Sequence, residues 1–189
     1  MIAEKLKRCL SEERKDKTIF DIILFGSHAK GKLSPRDIDI AIIFKEGTLK
    51  ARLSRVQEIK KKLRLTSGDQ ELDVTGILWE ELFQESYFAR TGIFLEGISM
   101  LHSKPFAQRI GFEGWTIFTY SLADKTHTEK VKFNYILTGR NTKGMIRRLD
   151  GEHMTPGAVR IPISRSIEFE ELLKMHKVSY SKRRMLMLI

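Results

Sequence analysis

The chain has 189 residues, of which 41% are hydrophobic and 31% charged, and this composition excludes a disordered or fibrous protein. No apolar run approaches the roughly 20 residues that cross a bilayer, and the single cysteine, Cys9, excludes a disulfide framework and a cysteine-ligated metal site. The formal net charge of +10 divides into +2 over residues 1–100 and +8 over residues 101–189. Such a basic half indicates either a polyanionic partner, most often nucleic acid, or a solvated surface.

The first predicted element is an amphipathic helix over residues 2–15. Its apolar residues Ile2, Leu6, Cys9 and Leu10 recur at helical spacing among charged residues, and no hydrophobic region of the kind found in signal peptides is present. Together with the scarcity of cysteine, this favours a cytoplasmic location and no membrane association.

The next elements alternate between strands and helices. Two short apolar runs predict strands over Ile19–Phe25 and Asp37–Phe44, separated by a turn that begins with Gly26 and Ser27. After them the sequence predicts a helix over 48–65 with Thr48 as its N-cap, a strand over 70–78, a helix over 80–89 and a last strand over 98–102. This order predicts a first domain that ends near residue 103.

The second half predicts a smaller domain over residues 104–189. Alternating apolar residues predict a β-hairpin from strands over 115–122 and 131–137, and further strands over 145–149 and 157–163. Ser166 is the predicted N-cap of a helix that runs to Met175. The apolar tail Met185–Ile189 has two interpretations, the end of the core or a homodimer contact.

The stretch from Phe25 to Ile40 carries the chemistry. Alternate residues of a strand point to one face, so Asp37 and Asp39 are expected to lie side by side. Two adjacent carboxylates repel each other, and a divalent cation between them removes that repulsion. The spacing therefore predicts a metal site beside a glycine-containing turn that a phosphate group can approach.

The residues F-G-S-H-A-K-G at 25–31, D-I-D-I at 37–40 and the isolated acid Asp73 on a later strand occur in an informative order. This pattern resembles the nucleotidyltransferase superfamily related to DNA polymerase β, whose small prokaryotic members share a G-S-x-A-x-G and D-x-D arrangement. The resemblance covers about residues 19–78. Arg36 stands where members of the superfamily usually have serine.

The resemblance implies a nucleotide site and a two-metal Mg²⁺ site. Gly26, Ser27, Lys30 and Gly31 would bind the phosphates of an NTP such as ATP. Asp37, Asp39 and Asp73 would be both the metal ligands and the catalytic acids, with Asp73 also activating the attacking hydroxyl.

The resulting hypothesis is an α+β protein in two parts. An α/β-type nucleotidyltransferase domain with a short mixed sheet would transfer NMP from an NTP to a hydroxyl, and a basic α+β domain would select the acceptor. The acceptor is RNA or DNA, suggested by the basic half, or a protein side chain, as in antitoxin-type enzymes that modify a partner. A nucleic-acid-binding protein on a catalytically silent scaffold is the alternative. The aromatic residues of the second half are interpreted first as core and second as base-stacking groups.

Overall fold

A computed structural model of the chain describes residues 2–29, 37–68 and 70–189. The chain divides into two compact units, residues 1–111 and 112–189. None of the helices in these described ranges is long and apolar enough to cross a membrane.

Within its described residues, the first unit has five helices and four strands. Its elements are α1 (Ile2–Cys9), a 3₁₀ turn (Glu13–Lys15), β1 (Ile19–Phe25), α2 (Gly26–Ala29), β2 (Asp37–Phe44), α3 (Leu49–Ser67), β3 (Glu71–Leu78), a 3₁₀ turn (Glu81–Phe83), α4 (Arg90–Glu96), β4 (Ile98–Ser99) and α5 (Phe106–Arg109). The strands form a mixed sheet in the order β3–β2–β1–β4, in which only β2 and β3 are parallel.

Both faces of this sheet are covered, because alternate side chains of each strand enter different cores. Ile38, Ile40 and Ile42 of β2 pack in a cluster with residues of α1 and α3. Ala41 and Ile43 pack in a second cluster with residues from the segment after β3. Burial on both faces explains why β1 and β2 are continuous apolar runs rather than alternating ones.

The predicted strands β1 and β2 and the long helix α3 are confirmed. Thr48 is the N-cap of α3, since its side-chain oxygen accepts a hydrogen bond from the Ala51 amide at 3.3 Å. The helix continues to Ser67, beyond the predicted end at residue 65, and is followed by Gly68 with φ +63°.

The predicted helix over Glu80–Ala89 is wrong. Only one 3₁₀ turn forms there, and the next helix begins at Arg90. The carboxylate of Glu81 accepts hydrogen bonds from the Leu78 amide at 2.6 Å and from Arg52 at 2.9 Å, which holds the chain in a tight turn directly after β3. Gln84 is then extended, so the helical turn ends.

The boundary between the units lies at residue 111 rather than at the predicted 103. Phe106 is fully buried in the second core of the first unit. Arg109 donates to the buried carboxylate of Asp21 at 3.4 Å, and the Ser99 hydroxyl donates to the same carboxylate at 2.8 Å. The predicted strand over 98–102 stops at Ser99 because the Ser99 side chain accepts the His102 amide at 3.0 Å and the chain turns.

The second unit is a four-stranded antiparallel sheet with three helices. Its elements are β5 (Phe112–Ser121), α6 (His127–Thr138), α7 (Met145–Arg148), β6 (Glu152–Thr155), β7 (Ala158–Pro162), a 3₁₀ turn (Ile163–Arg165), α8 (Ser166–Met175) and β8 (Ser179–Leu188). The strand order is β6–β7–β5–β8, and β8 pairs with β5 along its whole length. The apolar tail is thus part of this strand, and a homodimer remains a prediction.

The predicted hairpin is wrong, because its second strand is the helix α6. Thr126 and Glu129 form a capping box in which each side chain accepts the other residue's backbone amide. Phe133 and Leu137, four residues apart, are the side chains of this helix that enter the core. Phe133 and Leu137 fit the two-residue alternation of a strand, and they equally fit the four-residue spacing of side chains on one face of a helix.

Two further predictions for this unit are corrected. Residues 145–148 form α7 rather than a strand, since Ile146 and Leu149, three residues apart, are buried on one side. Ser166 is the first residue of α8 and not its N-cap, because its hydroxyl donates to the Ile163 carbonyl at 2.8 Å within the preceding turn. The mixed sheet of the first unit and this helix-and-strand unit confirm the predicted α+β class.

The core interpretation holds for most aromatic residues of the second unit. Phe118 and Phe133 are buried members of one apolar cluster, and Tyr120 packs against it. Trp115 and Tyr135 lie outside that cluster, and each has an arginine over its ring, with Arg160 at 4.7 Å and Arg140 at 5.2 Å from the respective ring centres.

Candidate active site

The acids predicted for catalysis lie on two neighbouring parallel strands. The register of β2 and β3 places Asp39 directly opposite Asp73, and Asp37 opposite Glu71. Strand alternation puts Asp37, Asp39 and Asp73 on the face that carries Ala41 and the second core. Like charges directly opposite each other destabilise a strand pair, so this arrangement has a cost that a bound cation would offset.

The glycine turn lies directly against one of these acids. Phe25, the last residue of β1, is opposite Asp39 on β2, so the chain turns at Gly26 beside that carboxylate. A Cβ atom at Gly26 would lie 1.9 Å from Asp39 Oδ2, and the φ of Gly26 is +72°. Only glycine meets both conditions, because a side chain has neither the space nor a favourable backbone conformation here.

Ser27 contributes a polar atom with an unusual environment. Its Oγ is buried and has no hydrogen-bond partner among the residues that the structure describes. A buried hydroxyl without a partner is costly, and a ligand or an ordered water that accepts its proton would remove that cost. The site is open on its other side, because Asp37 and Asp73 are exposed and Asp39 is half-buried.

A comparison with known families matches this region. The family described as "Polymerase beta, Nucleotidyltransferase" matches residues 4–91. Residues 4–91 are a nucleotidyltransferase domain of the DNA polymerase β type. The superfamily predicted from the sequence pattern is therefore confirmed for this part of the chain, while residues 92–189 lie outside the match. No curated protein matches the chain.

The carboxylates of this nucleotidyltransferase domain suit a magnesium ion whose remaining ligands come from a nucleotide. Within residues 2–29, 37–68 and 70–189, no three His, Cys, Asp or Glu side chains are gathered so that they could hold a metal ion by themselves. Mg²⁺ is normally held by one or two carboxylates together with phosphate oxygens and waters. Asp37 and Asp39 supply that number of carboxylates, and the backbone of the Gly26 turn lies directly against the Asp39 carboxylate.

Tyr87 is a site residue that sequence reasoning missed. Burial and the nearby carboxylate of Asp73 raise the pKa of Tyr87. Its ring packs against the second core, and the neighbouring Phe88 ring, 6.3 Å away, is 93% exposed. No local sequence pattern predicts the position of Tyr87, because an irregular segment returns it to the acid-bearing face of the sheet only through tertiary packing.

The remaining predicted nucleotide-binding residues, Lys30 and Gly31, lie outside the described residues, as does Arg36. Their roles stay predictions.

Proposed function

We propose that the chain is a Mg²⁺-dependent nucleotidyltransferase that moves NMP from an NTP to a hydroxyl group of an acceptor. The observation that carries the proposal is the contact of the Gly26 turn with the Asp39 carboxylate, with Asp73 opposite on the parallel strand. A glycine turn that brings backbone next to carboxylates suits phosphoryl-group transfer, since catalysis there consists mainly of positioning and charge neutralisation.

The residues have distinct proposed roles. The backbone at Gly26 and the hydroxyl and amide of Ser27 bind phosphate oxygens, and Lys30 and Gly31 complete the loop that holds the triphosphate. Asp37 and Asp39 hold Mg²⁺, and Asp73 supplies a further carboxylate to a two-metal site. When bound, magnesium neutralises the phosphate charge and assists the departure of pyrophosphate.

Asp73 is also the proposed general base. Its carboxylate is exposed and faces the same side as Asp39, so an acceptor hydroxyl can reach it. The acceptor oxygen forms a bond with the α-phosphorus, the bond between the α-phosphorus and the bridging oxygen to the β-phosphate breaks, and the hydroxyl proton passes to Asp73. The products are the NMP-modified acceptor and pyrophosphate.

For the acceptor we propose a nucleic acid recruited by the second unit. Residues 112–189 carry 14 Lys and Arg residues against 8 Asp and Glu, an imbalance that favours a polyanion. A partner protein, as for antitoxin-type enzymes, is the second candidate acceptor. A catalytically silent scaffold that only binds nucleic acid is the third possibility.

One labelling experiment distinguishes these functions. The protein is incubated with Mg²⁺, a cell extract and each of the four NTPs carrying a labelled α-phosphate. We expect pyrophosphate release and label on a nucleic acid, and the Asp37→Ala/Asp39→Ala variant should lose both. Label on a protein would select the antitoxin-type acceptor instead. NTP binding without turnover, with any acceptor, would leave only the silent scaffold.

A further inference from the structure

Two groups of cations in the second unit differ in their partners. The first comprises four residues in or beside the sheet and α8, each of which forms an ion pair with a nearby acid. The ion pairs join Arg160 to Glu152 at 2.6 Å, Arg165 to Glu168 at 3.1 Å, and Lys174 and Lys182 to Glu170 at 3.3 and 2.5 Å. The sheet arginine that covers Trp115 is therefore already engaged with a carboxylate.

The second group occupies a basic segment, residues 130–148, in which no acidic residue occurs. The segment carries six cations, none of which forms a salt bridge within the described part of the chain: Lys130, Lys132, Arg140, Lys143, Arg147 and Arg148. Glu129 and Asp150 flank the segment, and the charge of Lys132 acts on Glu129, but no carboxylate of the described residues forms an ion pair with any of the six. The six cations are therefore available to an external anion.

Packing of the two helices directs these cations outward. α6 buries Phe133 and Leu137, and α7 buries Ile146, so the exposed Lys132, Arg147 and Arg148 lie on the side away from the core. Arg140 lies over the ring of the exposed Tyr135. Arg140, Lys143, Arg147 and Arg148 thus lie within or directly after the connection between α6 and α7, and Lys130 and Lys132 lie in the first half of α6.

Two glycines fix that connection. A Cβ at Gly139 would lie 1.9 Å from the Thr142 carbonyl oxygen, and one at Gly144 would lie 2.3 Å from the Leu137 carbonyl oxygen. The loop is therefore folded tightly against the end of α6, and Arg140 and Lys143 project from a closed backbone rather than from an extended tail. A fixed loop loses less conformational entropy when its side chains bind phosphates.

We infer that the basic segment 130–148 is the surface that binds the sugar–phosphate backbone of the nucleic-acid acceptor, an inference that rests on the proposed function for the acceptor's role. The recognition is by charge, because lysine and arginine side chains contact phosphates without reading sequence. Binding should weaken steeply as the salt concentration rises. The slope of log affinity against log salt concentration should become more negative by about 0.7–0.9 for each phosphate contacted.

The test measures binding separately from catalysis. Fluorescence anisotropy follows a labelled single-stranded RNA and a labelled DNA duplex, in EDTA and without NTP, over a salt series. For Lys143→Ala/Arg147→Ala/Arg148→Ala we expect affinity to fall about 10- to 100-fold and the salt slope to decrease by about 2–3. The two probes tell which nucleic acid is preferred.

A matched control removes the same charge elsewhere. Lys50, Lys61 and Arg64 are exposed on α3, which covers the sheet face opposite the acids. Their triple alanine variant should retain affinity within about threefold. Equal losses in both triple variants, or no binding of either probe at low salt, would overturn the inference.

A second variant guards against misfolding. Lys132→Glu/Lys143→Glu changes only exposed positions, and it should lose binding while its circular dichroism and melting temperature stay those of the wild type. Retained binding in this well-folded variant would also overturn the inference. If nucleic acid binds but no NMP is transferred, only the proposed function fails. If NMP is transferred to a protein and no nucleic acid binds, this inference and the proposed nucleic-acid acceptor fail, whereas the proposed nucleotidyl transfer stands.

Discussion

At Gly26 two requirements meet that can be separated by experiment. One is the backbone, whose φ of +72° disfavours any side chain, and the other is the space occupied by Asp39 Oδ2. A β-carbon at Gly26 costs about 1–2 kcal/mol for the backbone conformation alone and also displaces the Asp39 carboxylate, which we propose holds magnesium.

We predict that Gly26→Ala lowers the kcat/KM of NMP transfer by at least about 10²-fold. Gly68→Ala is the matched control, because Gly68 has a similar φ of +63° but, among the described residues other than its chain neighbours, no atom within 4 Å of the place that a β-carbon would take. Both variants should lose stability in urea unfolding, Gly26→Ala by more because of the additional clash with Asp39, and only the first should lose activity. Equal activity in the two variants would contradict the assigned role of this contact.

The neighbourhood of Asp73 and Tyr87 yields a prediction that needs no turnover. Burial and the Asp73 carboxylate both raise the pKa of Tyr87, since a negative charge disfavours the tyrosinate. Asp73→Asn should therefore lower the pKa of Tyr87 toward its ordinary value without restoring it, because burial remains. NMR titration of ¹³C-labelled tyrosine measures this shift.

Tyr120 is the internal control for that titration. Burial alone raises its pKa, so Asp73→Asn should leave it unchanged. The same variant should lower kcat by about 10²–10⁴-fold if Asp73 is the general base. An unchanged Tyr87 pKa would show that the tyrosine is not beside Asp73.

Among the secondary-structure elements, α8 and β8 are joined by a charged cluster centred on Glu170. The Tyr180 hydroxyl donates to Glu170 at 2.7 Å, and Lys182 and Lys174 form ion pairs with it. Burial acts to raise the pKa of Glu170, but hydrogen bonds from Lys182, Tyr180 and Lys174 outweigh it and lower the pKa to about 2. Burial and the same carboxylate raise the pKa of Tyr180 to about 12.

A carboxyl whose pKa is depressed by folding stabilises the folded state above its unfolded pKa of 4.5, and that stabilisation is lost as the pH falls toward about 2. We predict that Glu170→Gln costs about 2 kcal/mol at pH 7 and that its difference from the wild type fades between pH 5 and pH 2. Urea unfolding at several pH values measures this. Glu171→Gln, which changes an exposed neighbour, should have little effect.

The same elements show what local sequence can and cannot predict. The strands β1 and β2 were predictable because both their faces are buried, which leaves long apolar runs, and α3 because its apolar spacing follows a threonine cap. The helix α6 was mistaken because its alternating apolar residues satisfy both periods. The capping box of Thr126 and Glu129 was the local signal that distinguishes them.

The residues of the candidate site also differ in how far local sequence predicts their positions. The spacing of Asp37 and Asp39 is local and follows from the pleat of one strand. The position of Asp73 opposite Asp39 depends on the parallel register of strands separated by α3, and the resemblance to known nucleotidyltransferases suggested it. Tyr87 depends on tertiary packing alone, so no periodicity could reveal it.

Over the whole molecule, the proposed catalytic residues and the proposed acceptor-binding segment lie in different compact units. We predict that removing Mg²⁺ with EDTA abolishes NMP transfer and changes nucleic-acid affinity by less than about twofold, because the basic segment binds phosphates without a metal. Pyrophosphate release and anisotropy, measured on one preparation, test both parts. Loss of binding in EDTA would instead place the nucleic acid on the metal at the acid-bearing strands.

The pairing of β2 and β3 determines where the chain tolerates insertions. Leu72 and Val74, 5% and 9% exposed, flank Asp73 on the opposite face of β3, and each is worth about 1.5–3 kcal/mol when buried. If β3 shifted by one residue relative to β2, Leu72 and Val74 would become exposed and Asp73 would point into the core. Fewer than about one molecule in a hundred should therefore have the shifted register. Burial of Leu72 and Val74 thus fixes the position of Asp73 relative to Asp39. Insertions between α3 and β3 should be tolerated, whereas a single-residue insertion between Leu72 and Val74 should eliminate the site.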